Sequence, residues 1–420
     1  MDVERRLLDI VVIGGGPAGL AAAITARKAG VESLLLIERD NGLGGILHQC
    51  VHTGFGLKRF GQEMTGPEYV ERFIREFEAL KIPAALNTMV TELTRERRMI
   101  AIGEPVGLIE IEAKAVILAM GCRERARGAI GIPGARPAGV FTAGAAQRML
   151  NIEGLMPGRK VVIVGSGDIG LIMARRLTLE GAKVLAVVEM MPYPGGLTRN
   201  LVQCLQDFKI PLHLSTIVTE IRGKQRVEGV TVAQLGEDGK PLSGSERVIR
   251  CDTLLISAGL IPENELSQGA GIELDPNTHG PVIDQDMETV VPGMFACGDV
   301  AYVHNIVDWV TADGETAGCA AAQLVLGKRP ERCAPISVRP GEGIQCVMPQ
   351  RFTCLASERL VLSLRPNMIA RDVKVNIKNE TGKVIHTVLR KVVRPAEIFD
   401  VKLPVETVRG CKELYVDVMP

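Results

Sequence analysis

Charge of one sign is missing from this chain of 420 residues: 49 basic residues balance 49 acidic ones, so nothing in the net charge favours a nucleic acid or an anionic membrane surface as partner. No apolar run reaches the roughly 18 uncharged residues that a membrane span needs. The start, Met1-Asp2-Val3-Glu4-Arg5-Arg6, carries no leader pattern of a basic segment followed by an apolar one. Paired cysteines are missing too. The ten Cys are scattered and show neither a disulfide framework nor a second cluster that would complete a zinc site, which argues against a stapled secreted scaffold and suits a reducing compartment. These absences predict a cytoplasmic protein with no nucleic-acid partner and no membrane span. A chain of this length is also too long for one compact core, so two or three domains are expected.

What the chain has in excess is glycine, 46 residues against a usual share of about 7%. Much of the pattern is explained by Leu7 to Arg39. Leu8 to Ile13 reads as a buried parallel strand, Gly14-Gly15-Gly16-Pro17-Ala18-Gly19 as a tight turn, Leu20 to Ala29 as an Ala-rich helix, and Ser33 to Ile37 as a second strand ending at Glu38. Gly14 permits the sharp turn, Gly16 lets a pyrophosphate approach without meeting a Cβ, and Gly19 lets helix and strand pack closely. The helix N-terminus then offers free N–H groups and partial positive charge to phosphates. Glu38, nineteen residues past Gly19, is placed to accept hydrogen bonds from a ribose diol.

A second copy of the pattern begins at Lys160. Val161 to Val164 is the strand, Gly165-Ser166-Gly167-Asp168-Ile169-Gly170 the turn, Leu171 to Leu179 the helix, and Val184 to Val188 the next strand, ending at Glu189. Glu189 is again nineteen residues past the last glycine. Met190-Met191-Pro192 follow with no Arg or Lys beside the acid, so a 2′-phosphate would find a carboxylate and no cation, and NAD is favoured over NADP.

Between the two copies, Asn41 to Gly61 is a glycine-rich loop holding His48, Cys50 and His52, whose spacing is unlike the common zinc patterns, so no metal is expected. These three residues are instead candidates to lie near a redox-active ring. Pro67 to Leu80 is an amphipathic helix with Tyr69, Phe73, Phe77 and Leu80 on its core face, and Thr88 to Met120 a β-meander ending in a buried strand. Further on come a strand over Asp252 to Ala258 closed by Gly259, the stretch Ala296-Cys297-Gly298-Asp299, and a helix from about Thr311 to Leu326. The last stretch alternates as β-structure, with Val373 to Ile377, Lys383 to Val393 and Glu413 to Val418 as strands and Asn379-Glu380-Thr381-Gly382 as a hairpin turn.

Over about residues 7 to 332 these motifs resemble the pyridine nucleotide–disulfide oxidoreductase superfamily, most closely its thioredoxin-reductase-like size class. The resemblance implies FAD at the first site, held by Gly14, Gly16, Pro17, Ala18, Gly19, Glu38, Arg39, Gly45, Val90, Ala119, Gly121, Gly298, Asp299 and Thr311. It implies NAD(H) at the second, held by Gly165, Gly167, Asp168, Ile169, Gly170, Glu189 and Gly259. The implied fold is α/β: two Rossmann-like dinucleotide-binding domains, with a three-layer sheet and β-meander, to which the alternating strands beyond the resemblance add a small C-terminal all-β domain. The expected division is 1–121 with 290–332 for FAD, 122–289 for NAD, and 333–420 for a β-sandwich.

One departure redirects the functional expectation. Where thioredoxin reductases carry Cys-x-x-Cys, this chain reads Phe141-Thr142-Ala143-Gly144-Ala145-Ala146, and Cys50 alone stands where glutathione-reductase-type relatives carry two cysteines. Disulfide reduction is therefore not expected. Leu43 to Cys50, Gly121 to Arg125 and Gly165 to Gly170 resemble a narrower group, found beside glycerol-3-phosphate dehydrogenase or as subunits of amino-acid and opine dehydrogenases. That resemblance implies an electron-transfer subunit of an oligomeric complex, moving hydride between NAD(H) and flavin, with a stand-alone NADH:acceptor reductase and a non-catalytic flavin-binding sensor as the alternatives. Because both nucleotide sites are complete before it begins, the C-terminal domain is read as a docking module for a partner dehydrogenase that takes no part in cofactor binding, the alternative being a domain that covers apolar surface or pairs two copies of the chain.

Overall fold

The computed structural model describes residues 4–104 and 107–419, so Met1, Asp2 and Val3 of the start, together with Pro105, Val106 and Pro420, lie outside the described residues. The chain divides into two compact units, residues 1–48, 53–122 and 262–420 in one, residues 49–52 and 123–261 in the other.

The first unit is organised on a seven-stranded sheet. Strands Ala84–Ala85, Leu34–Ile37, Glu4–Ile13 and Gly107–Leu118 run parallel in that spatial order, and Met294–Ala296 adds a further parallel strand beside Gly107–Leu118. The meander strand Arg98–Gly103 pairs antiparallel to the earlier half of Gly107–Leu118, and Thr88–Leu93 pairs antiparallel to Arg98–Gly103. Along Glu4–Ile13 successive side chains alternate between two cores. Ile10 and Val12 join the helix side with Leu34, Leu36 and Ile117, whereas Val11 and Ile13 join the meander side with Leu35, Ile37 and Val116. Burial on both faces is why the strand reads as an unbroken apolar run.

On the helix side lie Pro17–Lys28, Gly66–Ala79 and the long helix Val307–Val325. Gly66–Ala79 starts with a capping box between Thr65 and Glu68 and buries Tyr69, Phe73 and Phe77. The long helix meets the first one through glycine. A Cβ on Gly314 would sit 2.2 Å from the carbonyl oxygen of Ala18, and one on Gly318 would sit 2.3 Å from that of Ala22.

The second unit repeats the plan with a five-stranded parallel sheet in the order Val140–Thr142, Thr253–Ile256, Lys160–Val164, Lys183–Val188 and Leu212–His213, and adds a three-stranded antiparallel sheet over 216–249. Helix Asp168–Leu179 covers one face of the parallel sheet.

Residues 336–419 hold two β-sheets packed as a sandwich. Five strands pack against three around Leu360, Leu362, Leu364, Val373, Val375, Ile377, Leu414, Val416 and Val418. The hairpin Asn379 to Gly382 joins Ala370–Asn379 to Val384–Val393, and one short helix, Val405–Val408, interrupts an otherwise all-β region.

Two expectations change. The segment 262–289, assigned by sequence to the NAD-binding domain, belongs to the first unit, because Ala270, Ile272 and Ile283 complete its meander-side core. Nor does the sandwich stand apart from that unit. Cys346, Met348 and Ile398 enter the same core, Gln350 Oε1 accepts from Ile283 N at 3.0 Å, and buried Asp284 receives Arg332 and Thr353, each at 2.6 Å.

The glycine crossing yields a test. Gly318→Val forces a branched side chain into backbone, and overpacking of this kind costs about 1–3 kcal/mol. The urea midpoint should fall by the corresponding amount with FAD binding retained at low denaturant, and an unchanged midpoint would show that the crossing is not tight.

Candidate functional site

At the first glycine turn the backbone, not a side chain, makes the surface. Gly14, at φ +108°, lies so close to the strand end that a Cβ would stand 2.4 Å from the oxygen of Ala119, and a Cβ on Gly19 would stand 1.9 Å from the oxygen of Gly14. Gly16 is the opposite case, with nothing within 4 Å of where its Cβ would be. It is also the N-cap of Pro17–Lys28 and offers no side-chain cap. No N-cap side chain therefore covers the first N–H groups of this helix, which start at Ala18 because Pro17 has none, and a pyrophosphate could approach them. Glu38 is buried, its Oε2 accepting from Gly15 N at 2.6 Å and its Oε1 from Asp40 N at 2.8 Å. Those two bonds fix the carboxylate at the turn and leave lone pairs for a ribose diol. Gly45 closes over the turn, where a Cβ would lie 3.1 Å from Gly16 Cα. The residues fit an ADP-containing dinucleotide.

The second turn is built alike. Gly165, at φ +92°, presses on the oxygen of Ser257, Gly170 on that of Gly165, and Gly167 caps helix Asp168–Leu179 without a side-chain bond. Glu189 is buried and accepts from Ser166 N at 2.9 Å and Ser166 Oγ at 2.7 Å on Oε2, and from Met191 N at 2.9 Å on Oε1. Asp168 Oδ1 accepts from Leu197 N at 2.8 Å and Asn200 Nδ2 at 2.6 Å. Ile169 packs on the core, and Gly259, at φ +98°, follows strand Thr253–Ile256 and accepts from Arg125 N at 3.0 Å.

The remaining sequence candidates take varied places. Pro17 and Ala18 are buried, Ala18 under Gly298 and Gly314 rather than on the open side of the turn. Gly121, at φ +72°, follows buried Ala119, and Gly298, at φ +71°, presents Asp299 in a short turn. Arg39 is exposed. Val90 contributes its side chain to the meander-side core, at a register shift in its ladder.

Thr311 is a correction in position. The helix begins at Val307, so Thr311 stands a turn inside it, fully buried, its hydroxyl donating to Val307 O at 3.0 Å and lying 2.7 Å from Tyr69 Oη. That hydroxyl is already engaged.

The run His48-Gln49-Cys50-Val51-His52 is divided between the units, His48 in the first, Cys50 and His52 in the second. His48 Nε2 donates to Leu43 O at 2.5 Å. The Cys50 thiol points at Gln147 Oε1, 4.0 Å away, and burial pushes it up to about 12. Among the described residues no group of three His, Cys, Asp or Glu is arranged to hold a metal ion.

Sequence reasoning missed the loop Gly195-Gly196. Gly195 N donates to Ser166 Oγ at 2.8 Å, and a Cβ on Gly196 would lie 2.9 Å from the oxygen of Ser166, so this pair lies on the second turn as Gly44-Gly45 lies on the first, where Gly44 N donates to Gly15 O at 2.8 Å. The signal was present: each Gly-Gly pair starts six residues after its glutamate, and Gly14, Gly16, Gly19, Glu38, Gly44 and Gly45 each recur 151 positions later.

Comparison with known proteins agrees with this geometry. Residues 8–323 match the family model for pyridine nucleotide-disulphide oxidoreductases. An opine oxidase subunit from Agrobacterium tumefaciens (strain Ach5) is 29% identical over 314 residues, 70% of this chain and 61% of that protein. The thioredoxin reductase of Mycolicibacterium smegmatis is 27% identical over 325 residues, 77% of this chain and 96% of that protein. In fold, the crystal structure of Lactococcus lactis thioredoxin reductase superposes with a TM-score of 0.62 at 23% identity, covering 76% of this chain and 99% of that one. The chain spans about three fifths of the length of the opine oxidase and hydrogen cyanide synthase subunits that it matches. No helix among the described residues is long and apolar enough to cross a membrane. Two glutamate-pinned glycine turns on two parallel sheets, together with a family match that takes in both, establish that the chain belongs to the pyridine nucleotide-disulphide oxidoreductase family, as an oxidoreductase whose cofactors are FAD and NAD(P)H.

Proposed function

We propose that this protein passes hydride between NAD(H) and FAD and exchanges the electrons with a partner dehydrogenase, as one component of a cytoplasmic complex of the glycerol-3-phosphate, amino-acid or opine dehydrogenase type. FAD is assigned to Gly14, Gly16, Gly19, Glu38, Gly45, Ala119, Gly121, Gly298 and Asp299, and NAD(H) to Gly165, Gly167, Asp168, Gly170, Glu189 and Gly259. The observation that carries the reading is the pair of helix starts whose N-cap is a glycine with no side-chain cap bond, Gly16 and Gly167, each beside a buried glutamate.

When bound, FAD supplies the two-electron chemistry at its ring. The chain supplies backbone N–H groups for phosphate, carboxylates for ribose, and a fixed cradle for each nucleotide. A protein disulfide has no place in this route. Thiolate, not thiol, is the nucleophile in disulfide exchange, and burial holds the Cys50 thiol protonated far above neutral pH. The partner is supported by the likeness to one component of an opine oxidase, whose own name says that it works with others. A stand-alone NADH:acceptor reductase is the second reading, favoured by the nearly full-length match to a thioredoxin reductase. Purification from the native source, with every co-purifying polypeptide identified and an anaerobic NADH titration read by flavin absorbance, separates the two. A partner polypeptide supports the first, and steady NADH turnover by the chain alone supports the second.

Nucleotide choice follows from Glu189. NADH should reduce the flavin much faster than NADPH, since the second phosphate of NADPH would meet a buried carboxylate. Loss of charge-assisted hydrogen bonds costs about 1.5–3 kcal/mol, so Glu189→Ala should weaken NADH use by roughly tenfold or more. Because that change also frees the N–H groups of Ser166 and Met191, Glu189→Gln serves as the companion that preserves shape. Equal rates with both nucleotides in the unchanged protein would sink the assignment. For Cys50→Ser, flavin reduction by NADH is expected to continue at close to the original rate. A charge-transfer band that disappears in that variant together with reduction would restore a thiol to the mechanism.

A further inference from the structure

His304 lies in the short connection between Asp299 and the long helix Val307–Val325, and its side chain is 1% exposed. Nδ1 is 2.9 Å from Asp299 Oδ1 and Nε2 is 2.8 Å from Asp313 Oδ2. An ionised carboxylate only accepts, so a ring that bonds two of them donates from both nitrogens and is an imidazolium. The backbone N of His304 donates to the same Asp299 oxygen at 3.0 Å, while Cys122 Sγ lies 3.6 Å from the other. Asp299 is thus gripped twice by one residue. Asp313, on the long helix, is 10% exposed at its side chain, and the Tyr302 ring packs on the imidazole at 4.0 Å between centroids, tilted by 34°.

The residues on either side of His304 are held by the C-terminal sandwich. Arg365 Nη2 donates to Val303 O at 2.8 Å, Asn305 Nδ2 donates to Ala396 O at 2.7 Å, and Ile398 N donates to Asn305 Oδ1 at 3.2 Å. Three hydrogen bonds to another layer fix a connection that would otherwise be a loop.

We propose that His304 is a positioning residue for the flavin: clasped from the sandwich through Arg365 and Asn305, it fixes the Asp299 carboxylate in the orientation that meets FAD, so the C-terminal domain takes part in retaining the cofactor. The inference rests on the assignment of Asp299 to FAD made above. It replaces the expectation of a domain with docking as its sole role.

The charge state agrees with the geometry. Burial alone would push the imidazole down, but Asp313 and Asp299 outweigh it and raise His304 to about 9. The other groups around it are Tyr302 and Cys297, both raised by burial, Cys122, Arg365, and Asp400 acting on Tyr302. FAD affinity should therefore be full at neutral pH and fall as pH rises through about 9, where His304 loses its proton.

The test is FAD binding to the full-length apoprotein of the unchanged chain, Asp299→Ala, His304→Gln, the double variant and Arg365→Met, from neutral to alkaline pH. At neutral pH, His304→Gln is expected to weaken FAD by about tenfold, the value of one charge-assisted hydrogen bond, and to add nothing once Asp299 is alanine. Its affinity should lack the alkaline fall of the unchanged protein. Arg365→Met, which keeps the imidazole and removes the Arg365 half of the clasp together with the bond to Pro395 O, should bind FAD severalfold more weakly, and it decides the matter if His304→Gln does not fold. Unchanged affinity in His304→Gln or in Arg365→Met, with Asp299→Ala losing FAD, overturns the proposal and leaves the Asp299 assignment standing. Full FAD retention in Asp299→Ala overturns that assignment, and this inference with it.

Discussion

A glutamate carboxylate bonded to the N–H of a glycine turn is the interaction on which the two nucleotide sites depend. Glu38 holds Gly15 and Glu189 holds Ser166, so the end of the second strand in each unit is tied to the turn that follows the first. The bond satisfies a buried donor and fixes the carboxylate at the turn, where the proposed assignment has it meet a ribose. Removing the carboxylate leaves a buried N–H unpaired and, on the proposed assignment, the ribose without an acceptor, so a change at this residue acts on folding and on recognition together.

Around that interaction the first unit is assembled by close approach of backbones. The first helix reaches the strand through Gly14 and Gly19 and the long helix through Gly314 and Gly318, with Ala18 and Ala22 as the facing surfaces. Small residues here act as contacts, allowing two helices and a sheet to share one core. The consequence reaches the site, because the same long helix carries Asp313 and follows the turn of Asp299.

The sandwich extends that chain of support. Its core is its own, around Leu362, Val375 and Val416, yet Cys346, Met348 and Ile398 belong to the core of the nucleotide-binding sheet. Asp284, fully buried, is matched by Arg332 and Thr353, an arrangement in which loss of the arginine leaves an uncompensated charge and loss of the threonine a missing donor. The sandwich thereby reaches Asp299 through Arg365, Val303 and His304.

The sequence alone determined whatever is written within about thirty residues of chain: the two strand–turn–helix units, the glutamates that end them, the aromatic stripe of Gly66–Ala79 and the hairpin at Asn379 to Gly382. Those features follow from local rules, since a positive φ, a missing Cβ and a period of two or of nearly four are properties of neighbouring residues. Tertiary structure decided the rest. It moved the start of the long helix to Val307 and took the Thr311 hydroxyl for Tyr69. It drew 262–289 into the first unit, laid Gly195-Gly196 on the second turn, and set His304 between two carboxylates. Each of these depends on partners far away in the chain, whose meeting is fixed by which apolar faces bury one another and which buried charges are neutralised, and neither is legible in local spacing.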